Sequence, residues 1–201
     1  MKPERLNAFS DGVIAVIITI MVLELKIPRG ADLSDLIPLI PVFFSYVLSF
    51  VYIAIYWNNH HHMMHASARV DGSILWSNMN LLFWLSLIPF ATGWMGENNF
   101  ARIPTATYGL ALLMPSIAYF LLQRAIIRRH GPNSVLAHAI GRDFKGKASP
   151  ILYAIGMVAV LFTAWIAGGI YVLVTLMWVI PDRRIERAIL KPERAARDDT
   201  C

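Results

Sequence analysis

Long apolar runs dominate this sequence, and they exceed what the core helices of a soluble domain require. Six can be drawn, at residues 8–25, 36–57, 73–94, 103–127, 149–164 and 167–180. With 57% hydrophobic and only 15% charged residues, the expected class is an all-α membrane protein with six transmembrane helices per chain. The last two runs form one nearly unbroken stretch from Ser149 to Ile180. As a single helix rising about 1.5 Å per residue it would overshoot a hydrocarbon core of about 30 Å. A tight hairpin is therefore expected, with Gly168 and Gly169 the obvious place to turn.

The first run holds Asp11 within two turns of its start and lacks a small-residue cleavage site, so it reads as a retained helix and not a signal peptide. The single cysteine, Cys201, allows no intrachain disulfide. A net charge of +5 does not by itself indicate a nucleic-acid partner, because in a membrane protein the distribution of Lys and Arg among loops carries the information. Six spans put both termini on one side, and fifteen of the 18 Lys and Arg fall there. Lys26, Arg29 and Arg102 are the three opposite. By the positive-inside rule, both termini, the His-rich loop and the basic loop around residues 128–147 are expected in the cytoplasm. The organisation is a membrane unit over residues 1–182 and a basic cytoplasmic tail over 183–201. That tail, with Arg183, Arg184, Arg187, Lys191, Arg194 and Arg197, either fixes orientation or binds anionic lipid.

Asp11 sits just inside the otherwise apolar segment that continues through Val13 to Leu23. An ionisable group at that depth is a functional-site hypothesis by default, and it equally suits a structural role if polar neighbours satisfy it. At about 100° per residue, Val16, Ile20 and Leu23 lie within about 60° of one another, whereas Asp11 points about 140° from Val16. Thr19 lies about 60° from Val16, and Phe9 and Gly12 continue the same face. A Val/Ile/Leu face alone also suits lipid or core contact, so periodicity does not make it a pore. The direction of Asp11 favours the structural role.

Arg5, Phe9, Ser10 and Asp11 match the Arg-x-x-x-Phe-Ser-Asp signature of the lysosomal potassium channel family, the transmembrane protein 175 type. The resemblance extends through Tyr56-Trp57 and the following histidines, Arg69-Val70-Asp71, the Asn78–Thr92 segment, and Trp178 to Arg184. It covers essentially the whole six-helix unit, and the chain looks like a bacterial member. The resemblance implies a multi-pass protein of the cell inner membrane, a homotetramer in the lipid bilayer whose first helices line a central pore permeable to potassium ions. It maps the pore constriction onto Val16, Ile20 and Leu23, with Thr19 as a polar selectivity layer. Val16 departs from the isoleucine expected at the innermost ring. Arg5, Phe9, Ser10 and Asp11 are then residues of helix packing.

The sequence holds no Thr-Val-Gly-Tyr-Gly filter, so preference for potassium would have to come from a narrow apolar ring that penalises the less readily dehydrated ion. Passive conduction with modest preference for potassium over sodium is the expectation. The alternative is an ion- or proton-coupled secondary transporter, which would normally use several intramembrane carboxylates and internal repeats. No nucleophile-and-base constellation appears in any span, so no enzyme and no catalytic residue is expected, and Asn78, Asn80 and Ser86 suit interhelical hydrogen bonds. Glu24 and Glu97 belong at the outer interface, either attracting cations or simply solvated. His60, His61, His62 and His65 could form a metal site or a structural cluster at a helix end, and the ligand set is incomplete for a metal. The expectation is no bound metal and no cofactor beyond the permeant ion. His61 or His62 is the expected packing partner of Asp11.

Overall fold

The computed structural model describes residues 3–67, 69–132, 134–140 and 144–179. The basic tail from residue 183, together with Lys2, Arg142 and Cys201, lies outside the described residues. Helices are the natural product of these apolar runs, because a helix pairs its own backbone N–H and C=O groups where no water can. The order is α1 (Pro3–Leu23), a 3-10 helix (Leu33–Leu39), α2 (Ile40–His65), α3 (Gly72–Ser86), α4 (Ile88–Glu97), α5 (Arg102–His130), α6 (Val135–Ile140), α7 (Phe144–Ala159) and α8 (Ala164–Val179). Among the described residues, four helical stretches are long and apolar enough to cross a membrane: Pro3–Leu23, Leu33–His65, Gly72–Glu97 and Arg102–His130. Ala164–Val179 is a shorter apolar helix. The chain is an all-α, multi-pass membrane protein.

The punctuation of these helices is local chemistry. Asp71 opens α3, its carboxylate accepting the Ile74 N–H at 3.0 Å, while Arg129 at the end of α5 approaches the same carboxylate at 3.4 Å. The stretch Gly72–Glu97 is one rod with a break at Leu87. Pro89, two residues on, has no N–H to give the carbonyl a turn below it. Beyond α4 the chain turns through Asn99 and Phe100, both in the left-handed region at φ 48° and 59°. For a bulky residue such as Phe100 that conformation costs about 1 kcal/mol or more, and its ring lies 6.0 Å from Trp165 at the start of α8. Gly131, at φ 87°, ends α5.

α3 packs on α5, α5 on α7, α7 on α8, and α2 on α4, with α1 laid against α2, α3 and α4. Tyr108, Tyr153 and Tyr171 are the bulkiest fully buried side chains. Small residues make room for them: a Cβ on Gly109 or Gly156 would strike the Tyr171 ring or hydroxyl.

The final hairpin turns elsewhere than at the two glycines. α7 ends at Ala159 and the chain reverses through residues 160–163, where Phe162 and Thr163 N–H both donate to the Ala159 carbonyl at 3.0 Å. Gly168 and Gly169 lie inside α8 with open space where their Cβ atoms would be. The physical reason is register: Tyr171 must meet Gly156 and Gly109, and a turn near residue 161 lets α8 bring it there. Glycine is also tolerated within membrane helices, so the pair carried no turn information. The His-rich segment is likewise not a loop, since His60, His61, His62 and His65 occupy the last turns of α2.

Gly156→Val should lower the thermal unfolding midpoint of the detergent-solubilised protein by several degrees, the result of overpacking worth about 1–3 kcal/mol. Gly168→Ala should leave it unchanged or slightly raised.

Candidate functional site on the first helix

The surface of α1 divides in two. Leu6, Ser10, Ile14, Ile17 and Met21 are buried, a three-and-four spacing that keeps them on one face. On the other side, Phe9, Val16, Ile20 and Leu23 are 53%, 54%, 43% and 80% exposed, and Gly12 and Thr19 are exposed with them. The Thr19 hydroxyl donates back to the Val16 carbonyl at 2.9 Å. Its hydrogen is thereby committed, so what it can present outward is oxygen lone pairs.

The buried face carries a directional chain of hydrogen bonds. Ser10, fully buried, donates its hydroxyl hydrogen to the Leu6 carbonyl at 2.8 Å. Toward Asn78 of α3 it can only accept, and Asn78 Nδ2 donates to it at 2.9 Å. The amide oxygen of Asn78 must then face His60 of α2, whose Nε2 lies 2.7 Å away and carries the hydrogen of that bond. Three buried polar side chains on three helices thus satisfy one another in one orientation. Beside them Asp11, half-buried, accepts from Trp57 Nε1 at 2.9 Å.

The signature residues therefore do different things. Ser10 binds α3 and Asp11 binds α2, while Arg5 and Phe9 are exposed on the single chain. His61 and His62, the expected partners of Asp11, stand in ring contact with each other at 5.9 Å, and His61 lies against Trp57 at the same centroid distance. The histidine that closes on the signature is His60, through Asn78. Adjacent residues of a helix are turned by about 100°, so only one member of the run could face inward, and the sequence did not say which. Asn78 was legible as a helix-bridging amide; Trp57 as the partner of Asp11 was not. His61 and His65 rings approach to 4.4 Å, and among the described residues no group of three or more His, Cys, Asp or Glu is arranged to hold a metal. At the opposite end of α1, an open groove against α4 is lined by Ile20, Glu24, Phe90, Gly93, Trp94 and Glu97, with Glu97 paired to Lys26 at 2.8 Å.

The family described as the endosomal/lysosomal potassium channel TMEM175 matches residues 5–89, which hold nearly all of α1 with α2 and α3, the signature, and Trp57, His60 and Asn78. A potassium channel from a Chryseobacterium species is 53% identical over 189 residues, covering 94% of this chain and 98% of that one. The chain belongs to the TMEM175 potassium channel family. A second relative, a potassium channel from Chamaesiphon minutus, is 28% identical over 182 residues, 83% of this chain and 88% of that one. The crystal structure of a lysosomal potassium-selective channel TMEM175 homologue from the same organism superposes with a TM-score of 0.79 at 27% identity, over 90% of this chain and 97% of that chain.

In this TMEM175-family fold, Asn78→Ala should cost about 2 kcal/mol of stability, since it leaves the His60 Nε2 hydrogen without its acceptor and removes the donor to the Ser10 oxygen. Thermal unfolding of Ser10→Ala, Asn78→Ala and the double variant should show coupling; strictly additive losses would mean that the bond is not worth making.

Proposed function

We propose that this chain is one subunit of a homotetrameric, passive, potassium-permeable channel of the cell inner membrane. Each subunit contributes six membrane-crossing segments, formed by α1, α2 with the 3-10 helix before it, the α3–α4 rod, α5, α7 and α8. Both termini are cytoplasmic, residues 1–182 form the channel unit, and residues 183–201 form a basic cytoplasmic tail. α1 lines the pore, Val16, Ile20 and Leu23 supply apolar constriction rings, and Thr19 supplies a polar layer. Ser10 and Asp11 serve helix packing within the subunit, and Arg5 and Phe9, exposed on the single chain, pack against a neighbouring subunit. The channel needs no cofactor and no resident metal, and its chemistry is ion permeation without catalysis.

One observation carries this reading: the stripe Val16, Thr19, Ile20 and Leu23 is exposed on a helix whose other face is locked by hydrogen bonds into the bundle. A helix so anchored offers the same apolar stripe to whatever lies beside the subunit, and around a fourfold axis that is three other copies. The relatives' naming as potassium channels supports the permeant ion. With apolar rings in place of a carbonyl filter, discrimination rests on hydration, and potassium gives up water more readily than sodium, so preference is modest. The Thr19 lone pairs are of the right sign to face a partly dehydrated cation.

Ile20→Asn should raise ion flux into liposomes by lowering the dewetting barrier, and Leu23→Ala should reduce the potassium-to-sodium ratio. Thr19→Ala should reduce the ratio without blocking flux. Met21 is only 2% exposed, so Met21→Ala should cost about 2–5 kcal/mol of stability and leave the ratio unchanged; Val22→Ala, about 200° around from Ile20, should also leave it unchanged. Permeation changes at Met21 and Val22 as large as those at Ile20 and Leu23 would refute the pore face. Stoichiometric coupling of one ion gradient to another would mean a transporter. Native mass measurement should give four chains per particle.

A further inference from the structure

The histidines of this chain divide by what their rings do. His60 is bound to Asn78 at 2.7 Å, His130 lies 2.9 Å from the Ile126 carbonyl and accepts from the Arg69 N–H at 3.2 Å, and His138 lies 3.1 Å from the Ser134 carbonyl. His61, His62 and His65 make no hydrogen bond among the described residues, and their contacts are ring to ring. Their nitrogens are left for a ligand from outside. His65 is exposed and the other two are half-buried, so the cluster opens outward from the bundle.

Helical spacing brings two of the three together. Four residues make one turn and about 40° more, so His65 stands almost directly over His61, and their ring centres are 4.4 Å apart at 61°. A metal ion holding two imidazole nitrogens at about 2.0–2.1 Å sets the ring centres roughly 5 Å apart. The pair is already that close, and side-chain rotation aims its nitrogens. His62, turned by about 100° on the helix, stands 5.9 Å from His61 and lies beside the pair. The charge of the surroundings suits a cation. The pair occupies the last turns of α2, where unpaired helix carbonyls carry partial negative charge, and the Asp11 carboxylate of α1 acts electrostatically on His61. Nitrogen ligands select zinc, copper or nickel over magnesium and calcium, which prefer oxygen.

We propose that His61 and His65 form an exchangeable chelate for a divalent late transition metal ion, zinc above all, at the C-terminal end of α2. Two imidazoles leave the remaining coordination positions to water, so the ion comes and goes with its free concentration and is no resident part of the fold. The site stands apart from the Val16–Leu23 stripe and does not depend on the pore assignment. Its occupant adds positive charge next to the bond that fixes α1, because the His61 ring lies 5.9 Å from the ring of Trp57, whose Nε1 donates to Asp11.

The test is zinc binding to the purified full chain in detergent, free of any histidine tag, measured by competition with a fluorescent zinc chelator in excess magnesium. The chain should take up zinc saturably. His61→Ala and His65→Ala should each weaken the affinity at least about tenfold, because the second imidazole of a chelate binds intramolecularly. The double variant should bind little more weakly than either single one, since one loss already breaks the chelate. His62→Ala and His138→Ala should stay within about twofold. Thermal unfolding without metal checks that each variant is folded, and His65→Ala, at an exposed position, decides the matter if His61→Ala is not. No saturable zinc uptake, displacement of zinc by magnesium, unchanged affinity in His65→Ala, or an equal loss in His62→Ala overturns the proposal.

Discussion

A polar side chain buried in a membrane bundle must find its partner within the protein, and in this molecule the chain Ser10–Asn78–His60 meets that demand. Its direction is fixed from one end to the other, because the Ser10 hydroxyl is already committed to Leu6. Such a chain has one good geometry and few poor ones. It sets the rotation of α1 against α2 and α3, and the Trp57–Asp11 bond fixes the same helix from the next residue. Turning α1 by one residue, about 100°, would bury Asp11 in place of Ser10 and turn the Val16 stripe away from its present direction. The outward face of α1 is therefore a consequence of its inward hydrogen bonds.

The far side of the bundle is organised by volume. Tyr171 reaches between α5 and α7 because Gly109 and Gly156 leave the space. Apolar attraction between helices is weak when lipid is equally apolar, so close contact and shape carry the association. This explains why the α7–α8 turn falls where Tyr171 meets its two glycines and not where two unconstrained glycines happen to sit.

A pore of the proposed kind would divide labour along α1. Residues facing the bundle hold the helix in place, and those facing the axis set the barrier to ions with apolar rings and a hydroxyl whose hydrogen is turned away. Discrimination by dehydration demands a narrow ring more than a particular residue, which makes the rigidity of the helix as important as the identity of Ile20 or Leu23. Val16, smaller than isoleucine, would make a wider ring than isoleucine at the same position.

The sequence alone determined that this is an all-helical membrane protein, because runs of apolar residues at spanning length permit little else in water or lipid. It also located the family signature and separated the Asp11 direction from the Val16 stripe, since helical periodicity is a property of the chain itself. Asn78 could be read as a bridging amide. Which histidine it bridges to, that Trp57 and not His61 or His62 donates to Asp11, and where the last hairpin turns were decided only by the tertiary structure. Each depends on two helices distant in sequence meeting at a particular rotation and depth, and that meeting is set by side-chain volumes and hydrogen-bond directions that no local pattern encodes.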